Sequence, residues 1–375
     1  MNELRKRNPD VKVTWLAAHP ASLVLKEQGE VLHPYAERFA CYSAFAENAV
    51  AENNLNLTSY VFQSSMGWIR NVMLFKRLIE EEHFDLTVGD ETYEIIIGLI
   101  FKLLNIKIPF IIIYDFLGLN SMTGSPLERF GTYLLNWIWS RDYRVLAAKD
   151  RQALFIGEPE DIPDQKFGFL LPNKRDYARN NYTFIGYIVR FDPQMYIDKN
   201  KIRSSLGYGN EPLIICSIGG TSVGKKLLEL CNRAYPFIQQ KIPDVKMVLV
   251  AGPRLSPQAI KAQPGVEVRG FVPDLFKHYA ASDQAIAQGG FSSTSELTAL
   301  RRPFIFFPIE GHSEAKFVAE RLARYDAGIK MYYSKTTPLS LAEQVISSIG
   351  KPVDYKAMRV DGARRAAQMI DRYLS

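Results

Sequence analysis

The stretch AQGGFSSTSELTALRRPFIFFP, residues 287–308, decides how this chain is interpreted. An apolar strand ends at Gly289 and Gly290, and four small hydroxyl residues then lead to Glu296 in the first turn of a predicted helix. The pattern Ser293-x-x-Glu296 fits a capping box, in which both side chains pair with free N–H groups at a helix N-terminus. It equally fits an anion-binding turn, because glycines allow close approach and a helix N-terminus attracts negative charge.

Strands alternate with helices along the whole chain, which predicts the α/β class with two Rossmann-like, doubly wound parallel-sheet domains facing a cleft. In the first half, strands are predicted over 11–17, 84–90, 108–115, 143–148 and 182–189, and helices over 66–82, 93–105 and 126–140. In the second half, strands are predicted over 213–220, 245–253, 266–272, 284–290 and 303–308, and helices over 224–241, 273–281, 294–301 and 314–325. The polar, turn-rich stretch 190–212 is predicted to be the linker.

Length and composition fit two ordinary globular cores. The chain has 375 residues, 47% of them apolar and 23% charged, so two domains are expected. The net charge of +6 is small, and no long Arg/Lys run occurs, so nucleic acid is not an expected partner. The same charge is compatible with an anionic small molecule or an anionic membrane surface.

Cysteine usage and the apolar segments favour a cytoplasmic protein. Cys41, Cys216 and Cys231 are widely spaced and form no zinc-binding pattern, which is typical of free thiols in a reducing compartment. The N-terminal residues lack the apolar core of a signal peptide. The apolar stretch 95–114 is interrupted by charged residues and a proline, so it is predicted to be a buried helix followed by a buried strand.

Ligands of parallel sheets bind beyond the carboxyl ends of the strands. In the second half, the post-strand segments expected to converge are 219–224, 251–254, 270–274, 288–296 and 308–314. The first segment precedes a predicted helix, as the glycine-rich turn at 289–290 does, and it begins with Gly219, Gly220, Thr221 and Ser222. It lacks the Walker pattern and a complete GxGxxG, so an ordinary strand-to-helix turn remains the alternative.

The order of these segments from Pro212 to Lys330 resembles the donor half of GT-B glycosyltransferases, especially the MurG-like and UDP-glycosyltransferase families. The matching features are the GGT loop, the GFVPD segment, the GGxxSxxE loop, RRPFIFFP and a polar loop before a helix. The resemblance implies a nucleotide-diphosphate sugar co-substrate, with a UDP-sugar as the first choice. It implies no further cofactor and no metal site.

The resemblance also assigns residues. The backbone at Val272 would pair with uracil, Glu296 would hold the ribose, and Glu314 would bind the sugar. The remaining predicted donor-site positions are Gly219, Gly220, Thr221, Ser222, Arg254, Gln288, Gly289, Gly290, Ser292, Ser293 and His312. This chain departs from the family pattern at two positions, since Gln288 replaces a histidine and Ala315 replaces a glutamine.

The first half is less similar to the acceptor domain of these families. Its first strand and the Gly-rich loop with the catalytic histidine are expected to be missing before Met1. Asp90 is the candidate partner of such a histidine, and His19 is a candidate base. The predicted domains are an acceptor-side domain over 1–190, a donor-binding domain over 191–352 and a C-terminal helix over 353–375 that packs back on the first domain.

The predicted function is metal-independent, inverting transfer of a sugar from a nucleotide-diphosphate donor to a hydroxyl of a lipid-linked or glycan acceptor. Two alternatives remain open: a UDP-sugar 2-epimerase on the same scaffold, and a non-catalytic donor-binding subunit that needs a partner. The predicted location is the cytoplasm, with peripheral contact to the inner face of the membrane. Within 129–140, a set of apolar residues is either an interfacial face toward a lipid acceptor or a core-facing row: Tyr133, Leu134, Trp137, Ile138 and Trp139.

Overall fold

The computed structural model describes residues 1–19, 21–40, 50–51, 54–55, 57–121, 124–219, 224–310 and 313–374. The chain forms two compact units. Unit 1 comprises Met1–Ala51, Leu55–Ile188 and Arg359–Ser375, and unit 2 comprises Glu52–Asn54 and Val189–Met358.

Before residue 189 the chain forms a parallel central sheet with helices around it. The strands are β1 (Thr14–Trp15), β2 (Val31–Leu32), β3 (Val50–Ala51), β4 (Asn54–Leu55), β5 (Thr87–Asp90), β6 (Phe110–Tyr114), β7 (Arg151–Ile156) and β8 (Thr183–Gly186). The helices are α1 (Asn2–Arg7), α2 (Ala21–Glu27), α3 (Leu57–Glu81), α4 (Tyr93–Ile100), α5 (Pro126–Trp139), α6 (Tyr143–Leu146) and α7 (Lys174–Asn181). The central sheet has the order β5-β6-β7-β8, with all its pairs parallel.

The prediction for 95–114 is confirmed, because helix α4 and strand β6 lie there and both contribute to the core of unit 1. The predicted strand over 143–148 is wrong, since helix α6 occupies it and the strand is β7. β7 is the segment that pairs with both β6 and β8. The run Tyr-Arg-Val-Leu has high strand propensity but forms a helix, because strand propensity depends strongly on tertiary context.

A buried carboxylate anchors the start of α6. Asp142 is fully buried and accepts hydrogen bonds from the hydroxyls of Tyr114 at 3.2 Å, Tyr182 at 2.6 Å and Tyr177. Burial raises the pKa of Asp142 to about 6, although the three hydroxyl donors oppose the rise. The Tyr177 hydroxyl also accepts from the backbone N–H of Tyr143 at 3.0 Å, so this cluster fixes the first residue of the helix.

Helix α5 turns a row of polar side chains inward. Glu128, Thr132 and Asn136 are all buried on it. The side chain of Asn136 accepts from the backbone N–H of Leu119 at 2.8 Å, and it donates to the carbonyl oxygens of Leu119 at 2.9 Å and Phe167 at 2.8 Å. These contacts hold two loops against the helix, so an amphipathic pattern alone would assign its inner face wrongly.

Of the two interpretations of this set on α5, the core-facing one is confirmed for three of its residues. Tyr133, Trp137 and Trp139 are partly buried and pack against the core of unit 1, as the core-facing alternative predicted. Ile138 is also half-buried, and Leu134 is exposed. The outward apolar row of this helix therefore contains other residues.

Unit 2 contains one six-stranded sheet. Its strands are β9 (Leu213–Ser217), β10 (Lys246–Val250), β11 (Val266–Arg269), β12 (Gln284–Ala287), β13 (Phe304–Phe306) and β14 (Ile329–Lys330). Its helices are α8 (Lys199–Ser205), α9 (Lys225–Lys241), α10 (Leu275–Ala281), α11 (Phe291–Ala299), α12 (Ser313–Arg324) and α13 (Pro338–Ser348). All strand pairs are parallel, in the order β11-β10-β9-β12-β13-β14, which is the 3-2-1-4-5-6 order of a Rossmann sheet.

The stretch 190–212 is not an unstructured linker, because it belongs to unit 2 and contains helix α8. Arg203 on this helix is buried and donates to the carboxylate of Asp283, which precedes β12. The same carboxylate accepts from the backbone N–H of Leu213 at 2.8 Å. Cys216 and Cys231 are buried free thiols in the core of unit 2, and Cys41 lies outside the described residues.

The last helix, α14 (Gly362–Asp371), belongs to unit 1. Its residues Ala366, Ala367 and Ile370 are buried in one cluster with Leu4 of helix α1 and Ile111 of β6. The C-terminal segment thus covers one face of the central sheet of unit 1.

Candidate functional site

The carboxyl ends of β9 and β12 meet at the topological switch point of unit 2. Strand β9 has β10 on one side and β12 on the other, so the chain order reverses there. Ligands of open α/β sheets bind in the crevice at such a point. Gly219 follows β9, whereas Gly289 and Gly290 follow β12. The two glycine-rich turns that the sequence predicted to bind a ligand are therefore neighbours.

Gln288 joins these two turns. With its amide oriented so that both ends are paired, its NH₂ group donates to the Ile218 carbonyl at 2.8 Å, and its oxygen accepts from the Gly224 N–H at 3.3 Å. Ile218 and Gly224 bracket the first turn, whose residues 220–223 lie outside the described part of the chain. Gln288 thus holds the backbone of a turn instead of leaving both amide groups open to a ligand.

The loop after β10 approaches the same place. Gly252 has a φ of +74°, and a Cβ atom there would lie 2.4 Å from the carbonyl oxygen of Gly219. That separation is far inside van der Waals contact, so only glycine allows the two loops to be this close. The half-buried Arg254 follows two residues later in the same loop.

Replacing Gly252 with alanine is expected to lower the stability of unit 2 by about 2 kcal/mol, because a positive φ and an overpacked contact both cost free energy. Hydrogen exchange of unit 2 peptides in urea would measure the change. Gly207→Ala is the matched control, since Gly207 has a φ of +73° and no atom within 4 Å of its Cβ position. Equal destabilisation of the two variants would contradict the close approach of the loops.

Helix α11 begins at Phe291 with Gly290 as its N-cap, three residues before the predicted start. Ser293 is consequently inside the helix, and Glu296 lies in the second turn, so the capping-box interpretation is wrong. No side chain caps this N-terminus within the residues that the structure describes. Backbone N–H groups at an uncapped helix start attract anions.

The hydroxyl residues of α11 have different roles. Thr294 donates to the Gly290 carbonyl at 2.8 Å, and Ser295 donates to the Phe291 carbonyl at 2.8 Å, so both hydroxyls bond to the helix itself. Ser292 is exposed and Ser293 is half-buried. Only the last two remain placed to contact a ligand at the helix start.

A buried tyrosine links the strand end to this helix. The Tyr279 hydroxyl on α10 hydrogen-bonds with Ser217 at the end of β9 and with Ser293. Burial raises the pKa of Tyr279 to about 12, although both serine contacts oppose the rise. This chain of hydroxyls fixes the position of Ser293 relative to the sheet.

Glu296 is buried and paired with a residue that the sequence analysis missed. Its carboxylate accepts from Nε of Arg190 at 3.0 Å. Burial raises the pKa of Glu296, and the positive charge of Arg190 opposes that shift. The guanidinium lies 5.7 Å from the ring centroid of Phe276, which is stacked on Phe191 at 4.5 Å. The only sequence signal for Arg190 was its position as the first charged residue after the predicted strand 182–189.

The remaining predicted donor residues are placed as follows. Val272 is half-buried in the segment between β11 and α10. Gly220, Thr221, Ser222 and His312 lie outside the described residues, and for Glu314 only its place in helix α12 is described.

In unit 1 the candidate catalytic residues belong to different segments. Asp90 ends β5, and His19 is exposed in the segment after β1. Asp90 is exposed as a whole residue, yet desolvation of its carboxyl group by the surrounding protein raises its pKa to about 6. The negative charge of Asp115 contributes further to the rise. Asp115 follows β6, the strand paired with β5. Neighbouring strand ends therefore place two carboxylates close together.

Residues 214–373 match the family model described as Glycosyltransferase family 28 C-terminal domain. The matched segment is less than half of the chain. The match begins within β9, the first strand of unit 2. It includes the two glycine-rich turns, the loop after β10 and helix α11. It agrees with the MurG-like resemblance of the sequence between Pro212 and Lys330.

Two curated relatives extend the comparison. An uncharacterised glycosyltransferase of Methanopyrus kandleri is 23% identical over 194 residues, which are 50% of this chain and 53% of the relative. A Clostridioides difficile UDP-N-acetylglucosamine–N-acetylmuramyl-(pentapeptide) pyrophosphoryl-undecaprenol N-acetylglucosamine transferase is 27% identical over 185 residues, which are 46% of this chain and 44% of the relative. The chain thus spans about half the length of these relatives.

A solved structure confirms the predicted fold class. The glycosyltransferase of kitacinnamycin has a TM-score of 0.58 at 16% identity, over 99% of this chain and 90% of that one. At this identity the likeness shows the fold alone, which is two Rossmann-like α/β domains of the GT-B type.

Two kinds of feature are absent from the described residues. Among the described residues, none of the helices has the length and apolar character needed to cross a bilayer. In the same part of the chain, no three His, Cys, Asp or Glu side chains are grouped so that they could hold a metal ion.

Proposed function

We propose that this chain transfers a sugar from a nucleotide-diphosphate donor, with a UDP-sugar as the first candidate, to an acceptor hydroxyl. The acceptor oxygen attacks the anomeric carbon as a base removes its proton, and the diphosphate leaves with inversion. The observation that carries the proposal is the uncapped N-terminus of α11, which begins behind Gly289 and Gly290 at the switch point of a family 28 domain.

Charge on the leaving diphosphate is the main electrostatic demand of this reaction. The N–H groups at the start of α11 are fixed by the Tyr279–Ser293 contact before any ligand binds. Preorganised donors of this kind stabilise charge that develops in the transition state. We therefore propose that the helix start meets this demand without a metal ion.

Glu296 is the proposed ribose acceptor. A buried carboxylate can accept hydrogen bonds from two vicinal ribose hydroxyls, and such charge-assisted bonds are among the stronger ones. Burial raises the Glu296 pKa and Arg190 opposes that rise, so the ion pair favours the ionised carboxylate that this role needs. Val272 and Glu314 remain the proposed contacts for the base and the sugar.

Asp90 is the proposed proton acceptor, with His19 as the second candidate. A carboxyl group whose pKa is about 6 is deprotonated at neutral pH and is a better base than an ordinary aspartate. A base acts only in its deprotonated form, so kcat/KM is expected to rise with pH up to a plateau above about 6. Release of UDP from UDP-N-acetylglucosamine, with water as the acceptor, would give the profile.

Asp115→Asn provides the control for this pH profile. Removing the charge of Asp115 takes away one of the two causes that raise the pKa of Asp90, so the rising limb is expected to move to lower pH. Asp90→Asn is expected to remove most of the activity and leave the affinity for UDP unchanged. A limb that stays in place in the Asp115 variant would contradict the assignment of Asp90.

The acceptor is proposed to be lipid-linked, and the chain is proposed to lie peripherally on the inner face of the membrane. Support comes from the Clostridioides difficile relative, whose name gives a pyrophosphoryl-undecaprenol acceptor. A glycan acceptor is the second candidate.

Calorimetry with UDP, UDP-N-acetylglucosamine and GDP tests the donor proposal. UDP binding that is about a hundredfold weaker in Glu296→Ala and unchanged in Glu343→Ala is the expected result; Glu343 is an exposed glutamate on α13 of the same unit. Absence of UDP binding by the intact chain would overturn the proposal. Epimerised sugar from UDP-N-acetylglucosamine alone would identify a UDP-sugar 2-epimerase instead.

A further inference from the structure

A buried arginine of helix α12 lies against the first turn of helix α11. Arg321 has an exposed fraction of only 3%. Its guanidinium carbon lies 3.8 Å from the centroid of the Phe291 ring, and Phe291 is the first residue of α11. A cation at this distance over an aromatic face is attracted by the ring, and a planar guanidinium suits such stacking. The contact therefore places a positive charge beside the start of α11.

A chain of hydrogen bonds leads from Arg321 to the N-cap of α11. One terminal nitrogen of Arg321 donates to the Thr294 hydroxyl over a long distance of 3.4 Å. That hydroxyl donates to the Gly290 carbonyl at 2.8 Å. Gly290 is the N-cap, and no side chain of the described residues caps the helix. Because hydrogen bonds in a chain strengthen one another, Arg321 helps to fix the residue at which the proposed diphosphate site begins.

Packing between two helices is a weak reason for a buried arginine. Burial of a charged group costs free energy, and replacement of buried ionic groups by apolar ones is often neutral or stabilising. Arg321 is nonetheless buried beside the glycine-rich turn that follows β12. A guanidinium is always positively charged in proteins, so its place beside a helix start that attracts anions indicates a role in holding one.

We propose that Arg321 is a positioning residue for the donor diphosphate. Through Thr294 it keeps Gly290 and the free N–H groups of α11 in place, and its charge adds to the positive end of the helix dipole. Arg321 acts from behind the helix and needs no direct contact with the ligand. The inference deepens the donor part of the proposed function and rests on that part.

Calorimetric titration with UDP and with uridine, which lacks the diphosphate, tests the proposal. Arg321→Met is expected to lower the affinity for UDP about tenfold and to leave that for uridine unchanged, because a charge beside a helix N-terminus acts on the anion. Arg321→Lys keeps the charge and is expected to recover most of the preference for UDP. Thr294→Val removes the hydroxyl that joins Arg321 to Gly290, and a loss of about threefold for UDP only is expected.

Arg203→Met is the matched control. Arg203 has an exposed fraction of 4% in the same unit, and its guanidinium donates to Asp283, directly before β12. It thus lies at the opposite end of the strand from Gly290. Its loss is expected to lower the stability of unit 2 without changing the ratio of the UDP and uridine affinities.

Two results would overturn the proposal. The ratio of the two affinities could stay unchanged in Arg321→Met and Thr294→Val, or it could fall equally in Arg203→Met, which would make Arg321 an ordinary packing residue. If circular dichroism shows that Arg321→Met does not fold, Arg321→Lys and Thr294→Val decide. Absence of UDP binding by the intact chain would instead overturn the donor site itself, whereas either result above leaves that site standing.

Discussion

Glu296→Ala is expected to weaken the binding of UDP about a hundredfold, measured by titration calorimetry. The carboxylate is buried on α11 and faces the Arg190 guanidinium, where it would accept two ribose hydroxyls. Each hydrogen bond to a charged acceptor contributes about 1.5 kcal/mol or more, so the loss of two costs about 3 kcal/mol.

Ligands that lack a ribose hydroxyl show whether Glu296 acts through the ribose. The intact chain is expected to prefer UDP to 2′-deoxy-UDP, and Glu296→Ala is expected to bind the two equally. Glu296→Gln keeps the shape and loses the charge, so an intermediate loss of about tenfold is expected. If the alanine variant still discriminates between the two nucleotides, Glu296 does not contact the ribose.

Asp142→Ala is expected to lower the free energy of unfolding of unit 1 by about 4 kcal/mol. The substitution leaves three buried hydroxyls, those of Tyr114, Tyr177 and Tyr182, without their common acceptor. Each buried donor left unpaired costs about 1–3 kcal/mol. The four tryptophans of the chain all lie in the sequence of unit 1, so tryptophan fluorescence in urea would follow this unit.

The pH dependence of the same unit provides a second measurement. The pKa of Asp142 is raised from 3.8 to about 6 in the folded chain, so the folded state binds the proton more tightly than the unfolded state. Stability is therefore complete below about pH 4 and falls by about 3 kcal/mol as the pH rises through 6. Asp142→Asn is expected to flatten this profile, and Asp85→Ala, at an exposed aspartate, is expected to leave it unchanged.

The elements of unit 2 were well predicted from the sequence, for a physical reason. Its strands are fully buried runs such as Leu213–Ser217, and each is followed by a glycine or polar segment that marks the strand end. Continuous apolar runs of this length are typical of parallel sheets covered on both faces. The positions of Gly289 and Gly290 at the switch point follow from the strand order of the sheet, which no local sequence pattern contains.

The errors lie where contacts between distant residues decide the structure. Asp142 meets tyrosines from 28 to 40 positions away, which no local pattern contains. Arg190 and Glu296 are 106 positions apart, so their pairing could not be found by motif spacing. Helix α11 begins at Phe291, directly after Gly290 in the N-cap position, whereas serine and glutamate spacing favoured a later start.

Gln288 has a consequence for the movement of the two glycine-rich turns of unit 2. Its amide fastens the turn that follows β9 to the turn that follows β12. A displacement of one turn without the other would break those two bonds, so they oppose independent movement of the two turns. A ligand that moves one turn is therefore expected to move the other as well.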